Sequence, residues 1–177
     1  FREISENYDR GNIDTLKKIL SKSKLDDYWK KMIRFYFFDE NIDENKSGDL
    51  TSQLKQWPIQ LHLISPAAPY YEDTDLLLAA DCTAFSMGDF HTNYLKDKSI
   101  AIACPKLDSN KESYVEKITT MIDESNLDTI TVLIMEVPCC GGLVQIAKLA
   151  KEKEKRNIPI KVIKISIKGE ILQEDWL

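Results

Sequence analysis

Several motifs that would settle a function outright are missing. The six glycines form neither a G-x-G-x-x-G dinucleotide fingerprint nor a Walker phosphate loop, and G-x-S-x-G and H-E-x-x-H are also absent. No apolar run approaches the roughly 20 residues of a membrane-crossing helix. A secretory leader is not expected, because charges follow Phe1 at once. The net charge is −5, and no basic stripe or aromatic-rich basic patch is found, which argues against nucleic acid as a partner. Four cysteines permit disulfides, but nothing indicates export, and 177 residues need no staples to fold. Reduced thiols and a cytoplasmic location are the better reading. Phe1 stands where an initiator Met would, which suggests that residues upstream were removed or left out.

Two regions are expected, 1–50 and 51–177. In the first, Ile13, Leu16, Ile19 and Leu20 share one helix face. A second helix, 25–38, carries the aromatic stripe Tyr28, Trp29, Phe35 and Tyr36, which either packs on its own core or supports a homo-oligomer or neighbouring domain. The acidic stretch 39–50 reads as a linker with a turn at Ser47-Gly48-Asp49. From Thr51 strands and helices alternate. Strands are expected at 59–64, 76–81, 99–103, 129–137 and 160–167. Helices are expected after Cys82 (Phe85, Phe90, Tyr94 and Leu95 inward), around Tyr114–Ile122, and over 142–155, followed by a short hairpin return at 170–172. The central strands are almost solid apolar runs, the pattern of strands covered on both faces. The fold class is therefore α/β: a three-layer open, mainly parallel sheet of about five strands, with an antiparallel edge hairpin and an N-terminal helical extension. The stretch 65–75 reads as an irregular loop that folds over the carboxyl edge of the sheet.

All four cysteines end predicted strands: Cys82 after LLLAAD, Cys104 after IAIA, and Cys139-Cys140 after TVLIMEVP. In a parallel sheet these ends share one edge, the edge at which such folds bind ligands. The thiols are expected to gather there as metal ligands or redox groups. Pro138-Cys139-Cys140-Gly141-Gly142 joins a strand to a helix start. There the helix dipole and free N–H groups favour thiolate, and Gly141 and Gly142 let backbone approach a bound group. A pair of buried structural cysteines is the alternative. Lys106 stands beside Cys104-Pro105 and can stabilise a thiolate or an anionic cluster. His62, His91 and Asp81 are candidate ligands or supports of ligands, with structural roles as alternatives. Asp89 and Asp108 lie near the same edge, and for Asp108 a helix cap is the better reading.

Four segments in order, QLKQWPIQLHLISPAAPYY, DLLLAADCTAFSMGDFH, IACPKLD and MEVPCCGGL, resemble the C-terminal domain of ferredoxin-type iron–sulfur binding proteins of anaerobic bacteria and archaea. The resemblance runs from about Ser52 to Leu172. Such proteins carry an N-terminal module with two four-iron clusters, whose C-x2-C-x2-C-x3-C-P spacing is absent here. What the resemblance implies is membership of a redox system, with a ferredoxin module or other redox protein as partner. The first expectation is an iron–sulfur [4Fe–4S] or zinc-binding electron-transfer domain using Cys82, Cys104, Cys139 and Cys140. A thiol-dependent oxidoreductase and a docking module for a ferredoxin unit are the alternatives.

Overall fold

A computed structural model describes residues 51–177, which form one compact unit. The expectations for 1–50, including the aromatic stripe at 25–38 and the acidic linker, fall outside these residues. The strands are β1 (Asp75–Ala80), β2 (Lys98–Ala103), β3 (Thr129–Met135), β4 (Ile160–Ile165) and β5 (Ile171–Trp176). They form a single sheet in the order β2-β1-β3-β4-β5. The first four are parallel and β5 is antiparallel to β4.

The helices are α1 (Thr83–Ser86), α2 (Lys111–Glu124) and α3 (Gly141–Lys153), with a π-helical turn at Phe90–Leu95. Strand order reverses between β1 and β3. Right-handed crossovers therefore place α2 and α3 on one face and the β1–β2 connection on the other. Helix α2 buries Tyr114, Val115, Ile118, Met121 and Ile122, and α3 buries Leu143, Ile146, Ala147 and Ala150. Both stripes are those read from helical periodicity. Leu76, Leu77, Leu78, Ile130, Val132 and Leu133 are fully buried between the layers.

Four local readings are corrected. The expected strand at 59–64 is one isolated bridge, Gln60 to Ile102, followed by a turn. Lys117 Nζ causes the turn by donating to the carbonyls of Leu61 (3.0 Å), His62 (2.8 Å) and Ile64 (2.9 Å); a strand would splay those carbonyls to alternate sides. The helix after Cys82 breaks at Met87-Gly88, so Phe90 and Leu95 are buried while Phe85 is 92% exposed. The hairpin return is a full strand to Trp176, although every residue of it is exposed. The loop at 65–75 lies at the amino edge, opposite the thiols. It leads into β1 there and bonds the end of α2, Ser125 Oγ to Pro66 O at 2.7 Å and Asp73 N to Ser125 O at 3.1 Å.

The outer edge of β2 is covered by the segment before it. Backbone bonds join Ile102 to Ile59 and Leu61. The Gln56 amide mimics a strand, donating to Ile100 O (2.9 Å) and accepting from Ile100 N (3.1 Å) while also meeting the buried Tyr71 hydroxyl (2.9 Å). Replacing Gln56 by Ala leaves those groups unpaired. The expected loss is about 2 kcal/mol in urea unfolding, with faster amide exchange at Ile100. Unchanged exchange would show that water satisfies the edge equally well.

Candidate functional site

Cys82 follows β1 as the N-cap residue of α1. Cys139 and Cys140 form the 3₁₀ turn Pro138–Cys140 between β3 and α3. β1 and β3 are neighbours, so these thiols lie at the point where strand order reverses, the usual ligand crevice of an open parallel sheet. The cysteines are free; Cys82 and Cys139 are exposed, Cys104 is half-buried and Cys140 is buried. Cys140 senses both of the others. Burial first, then the Cys139 and Cys82 thiols, raise its pKa, while a hydrogen bond from the Met135 backbone lowers it. The helix start was expected to favour thiolate here. At Cys140 desolvation outweighs the dipole, and the group remains a thiol at neutral pH.

Cys104 belongs to the next turn. Its N–H donates to Asp108 Oδ2 (3.0 Å), and its carbonyl accepts from Leu107 N (3.0 Å) and Asp108 N (2.9 Å). Asp108 therefore closes the Cys104 loop; the residue at the N-cap of α2 is Asn110, which makes no side-chain cap bond. The Cys104 turn touches α3 through Pro105: a Cβ on Gly142 would stand 2.9 Å from Pro105 Cβ. Gly142 is thus the close-approach glycine, and the neighbour it admits is Pro105. Gly141 has open space where a Cβ would lie.

Asp81 is half-buried; its Oδ1 is buried without a hydrogen-bond partner. Burial raises its pKa above the ordinary carboxylate range, against a hydrogen bond from Gln60, with Asp108 adding to the rise. His62 is exposed with its ring edge-on to Tyr114 at 6.4 Å. His91 accepts the Gln53 N–H at Nδ1 (3.1 Å) on the exposed surface, and Lys106 is exposed. Sequence reasoning missed Gln60 and Tyr114. Helical periodicity accounted for Tyr114 as core, and only its hydroxyl could have marked it as more. It also missed a cleft of about 290 Å³ between α3 and the β4–β5 pair, lined by Gly141, Val144, Lys148, Lys164 and Gln173.

Residues 68–177, more than half of the chain, match the Rossmann-like domain family. The chain belongs to that family. A 29% identical relative, an uncharacterized protein of Archaeoglobus fulgidus, aligns over 67% of this chain and 83% of its own length. No solved structure matches. This Rossmann-like domain lacks the glycine-rich first turn of the dinucleotide binders: Asp81-Cys82-Thr83 stands after β1. Among the described residues no helix is long and apolar enough to cross a membrane.

The iron–sulfur or zinc expectation can be compared with the donor set. Among the described residues no group of three or more His, Cys, Asp or Glu side chains is arranged to hold a metal ion. The residues as they stand do not fit a preformed four-thiolate centre.

Proposed function

We propose that this is a cytoplasmic redox domain whose working groups are the thiols of Cys82, Cys139 and Cys140, serving a ferredoxin-type iron–sulfur protein. The observation that supports it best is the meeting of these three thiols at the reversal of strand order. The resemblance of the motif order to that of ferredoxin-type proteins supports such a partner. Two thiols joining as a disulfide release two electrons and two protons, which suits exchange with one-electron centres in two steps. A bridge between adjacent residues is strained, so the pair is Cys82 with one of Cys139 and Cys140. Exposed Cys139 and Cys82 receive the incoming disulfide or oxidant, and the buried thiol is the reserve.

In this reading iodoacetamide at pH 7 modifies Cys82 and Cys139 at least about tenfold faster than Cys140, whose thiol is both shielded and raised in pKa. A two-electron titration against a glutathione series then gives one disulfide that includes Cys82 and is lost in Cys82→Ser. Uniform labelling together with no reversible disulfide would sink the proposal. A second reading, a thiolate metal or iron–sulfur centre using all four cysteines, is favoured by the contact between the Cys104 turn and the start of α3. It requires the thiols to move on loading. Anaerobic reconstitution that yields stoichiometric iron or zinc, lost in Cys104→Ser, selects it.

A further inference from the structure

Neither backbone nor packing requires a glycine at position 141. Its dihedrals are those of ordinary right-handed helix, φ −57° and ψ −26°, and its N–H donates to Pro138 O, inside the helical run that begins at Pro138. Nothing stands within 4 Å of the place a Cβ would take. Glycine inside a helix costs up to about 1 kcal/mol against alanine. Pro105 accounts for the neighbouring Gly142, and no such contact accounts for Gly141. What the missing side chain leaves open is the cleft of about 290 Å³ between α3 and the β4–β5 pair.

The cleft exists because the sheet is one strand wider than the helices that cover this face. Gly141, Val144 and Lys148 form one wall at helical spacing, and the buried Val162 lies in the floor. The polar groups of the floor are held in one arrangement. Lys164 and Gln173 are cross-strand partners, and Lys164 Nζ donates to Gln173 Oε1 at 2.8 Å. Gln173 Nε2 donates in turn to Asp175 Oδ2 at 2.5 Å. Asp175 is thus engaged by an amide. Among the described residues no carboxylate comes within ion-pair distance of the half-buried Lys164. Lys164 keeps two of its three N–H donors for a further partner. Lys148 stands exposed on the rim, two turns along α3, also without an ion pair among the described residues. In a chain of net charge −5, a cleft with two lysines and one aspartate is locally cationic.

Size narrows the occupant. The volume equals that of about ten waters at roughly 30 Å³ each and lies at the lower end of small-molecule sites, about 300 Å³. A dinucleotide does not fit. We infer that the cleft binds a small carboxylic acid with a short apolar tail. The carboxylate accepts from the two remaining donors of Lys164, and the tail runs past Gly141 over Val144 and Val162. Two oxygens match two donors, whereas inorganic phosphate has four oxygens and no apolar part to lay on the valines. The site is independent of the thiol chemistry, and binding rather than redox state reports it.

The test is a titration of the whole chain with hexanoate, followed by amide NMR shifts. Hexanamide, of the same shape without the charge, and inorganic phosphate, a charge without the tail, run in parallel. Hexanoate is expected to bind with a Kd of about 1 mM and to shift the amides of Gly141, Val144 and Lys164. Hexanamide and phosphate should each bind at least about tenfold more weakly. Lys164→Met should weaken hexanoate at least about tenfold. Gly141→Leu should fill the cleft and abolish hexanoate binding. The same variant should hold or raise the thermal midpoint, because leucine is the better helix former and meets no neighbour there. The assignment is overturned by hexanamide or phosphate binding as tightly as hexanoate, or by no saturable binding of hexanoate. Unchanged hexanoate binding in either variant would overturn it as well. So would a lower midpoint in Gly141→Leu, which would make the glycine a requirement of the fold.

Discussion

Replacing Lys117 by methionine is expected to lower the unfolding free energy by about 2–3 kcal/mol. The side chain rises from the middle of α2 and donates three hydrogen bonds, to the carbonyls of Leu61, His62 and Ile64 at 2.8–3.0 Å. Bonds from a charged donor exceed neutral ones. The half-exposed position lets water take back part of that, so three such bonds are counted at about 1 kcal/mol each rather than 2. Methionine keeps the apolar stem against α2 and removes only the donors. The consequence reaches further than the turn. Residues 59–61 pair with the outer edge of β2. Releasing the turn therefore loosens the cover over the outer edge of β2. Urea unfolding should show the loss, and amide exchange should quicken at Leu61 and Ile102 before the rest of the sheet. Lys117→Arg should rescue little, because a planar fork cannot address three convergent carbonyls as a compact ammonium does. A loss below about 0.5 kcal/mol would mean that water fills the cradle equally well.

The parallel core was legible because its signals are local. Leu76–Ala80 and Ile130–Met135 are apolar on both sides of the pleat, and Tyr114–Ile122 repeats at helical spacing; burial on two faces leaves no other arrangement for them. The errors have non-local causes. Leu61-His62-Leu63-Ile64 alternates as a strand does, and nothing in those residues reveals that a lysine more than fifty positions later gathers their carbonyls. Phe85 looked like a helix anchor and lies in solvent because the β1–β2 connection breaks one turn after Cys82. β5 carries no burial pattern at all, since both its faces are exposed; pairing with β4 alone makes it a strand.

The candidate site divides in the same way. That Cys82 and Cys139-Cys140 meet follows from where parallel strands end, a topological rule that needs no coordinates. The protonation of Cys140 does not follow, because a helix start and a buried pocket push a thiol in opposite directions and only packing decides between them. Tyr114 was legible as core from its helical spacing, and it is fully buried.

Gly169→Ala is expected to cost about 3 kcal/mol or more and to separate two of the thiols. Gly169 turns β4 into β5 with φ +82°, a backbone conformation that costs a side chain about 1 kcal/mol by itself. It is also pressed against the β1–β2 connection. A Cβ there would fall inside contact distance of the Ser86 carbonyl oxygen and lie 3.5 Å from Met87 Cα. Both are backbone atoms, so no rotamer change relieves the overlap, and overpacking of this kind typically adds about 1–3 kcal/mol. Ser86 ends α1, the helix that Cys82 opens, and its hydroxyl meets the Met135 sulfur at 3.4 Å. Displacing Ser86 thus moves α1 off the end of β3 and takes Cys82 away from Cys140. Two measurements check the argument together. The thermal midpoint should fall by about 10 °C, given roughly 3–4 °C per kcal/mol for a domain of this size. In the folded variant a Cys82 disulfide should form at a lower yield under the same glutathione ratio. If the midpoint falls and the disulfide forms as before, Gly169 serves the fold alone and the thiols owe their proximity to β1 and β3. If neither changes, the contact between the β4–β5 turn and Ser86 is not what fixes α1.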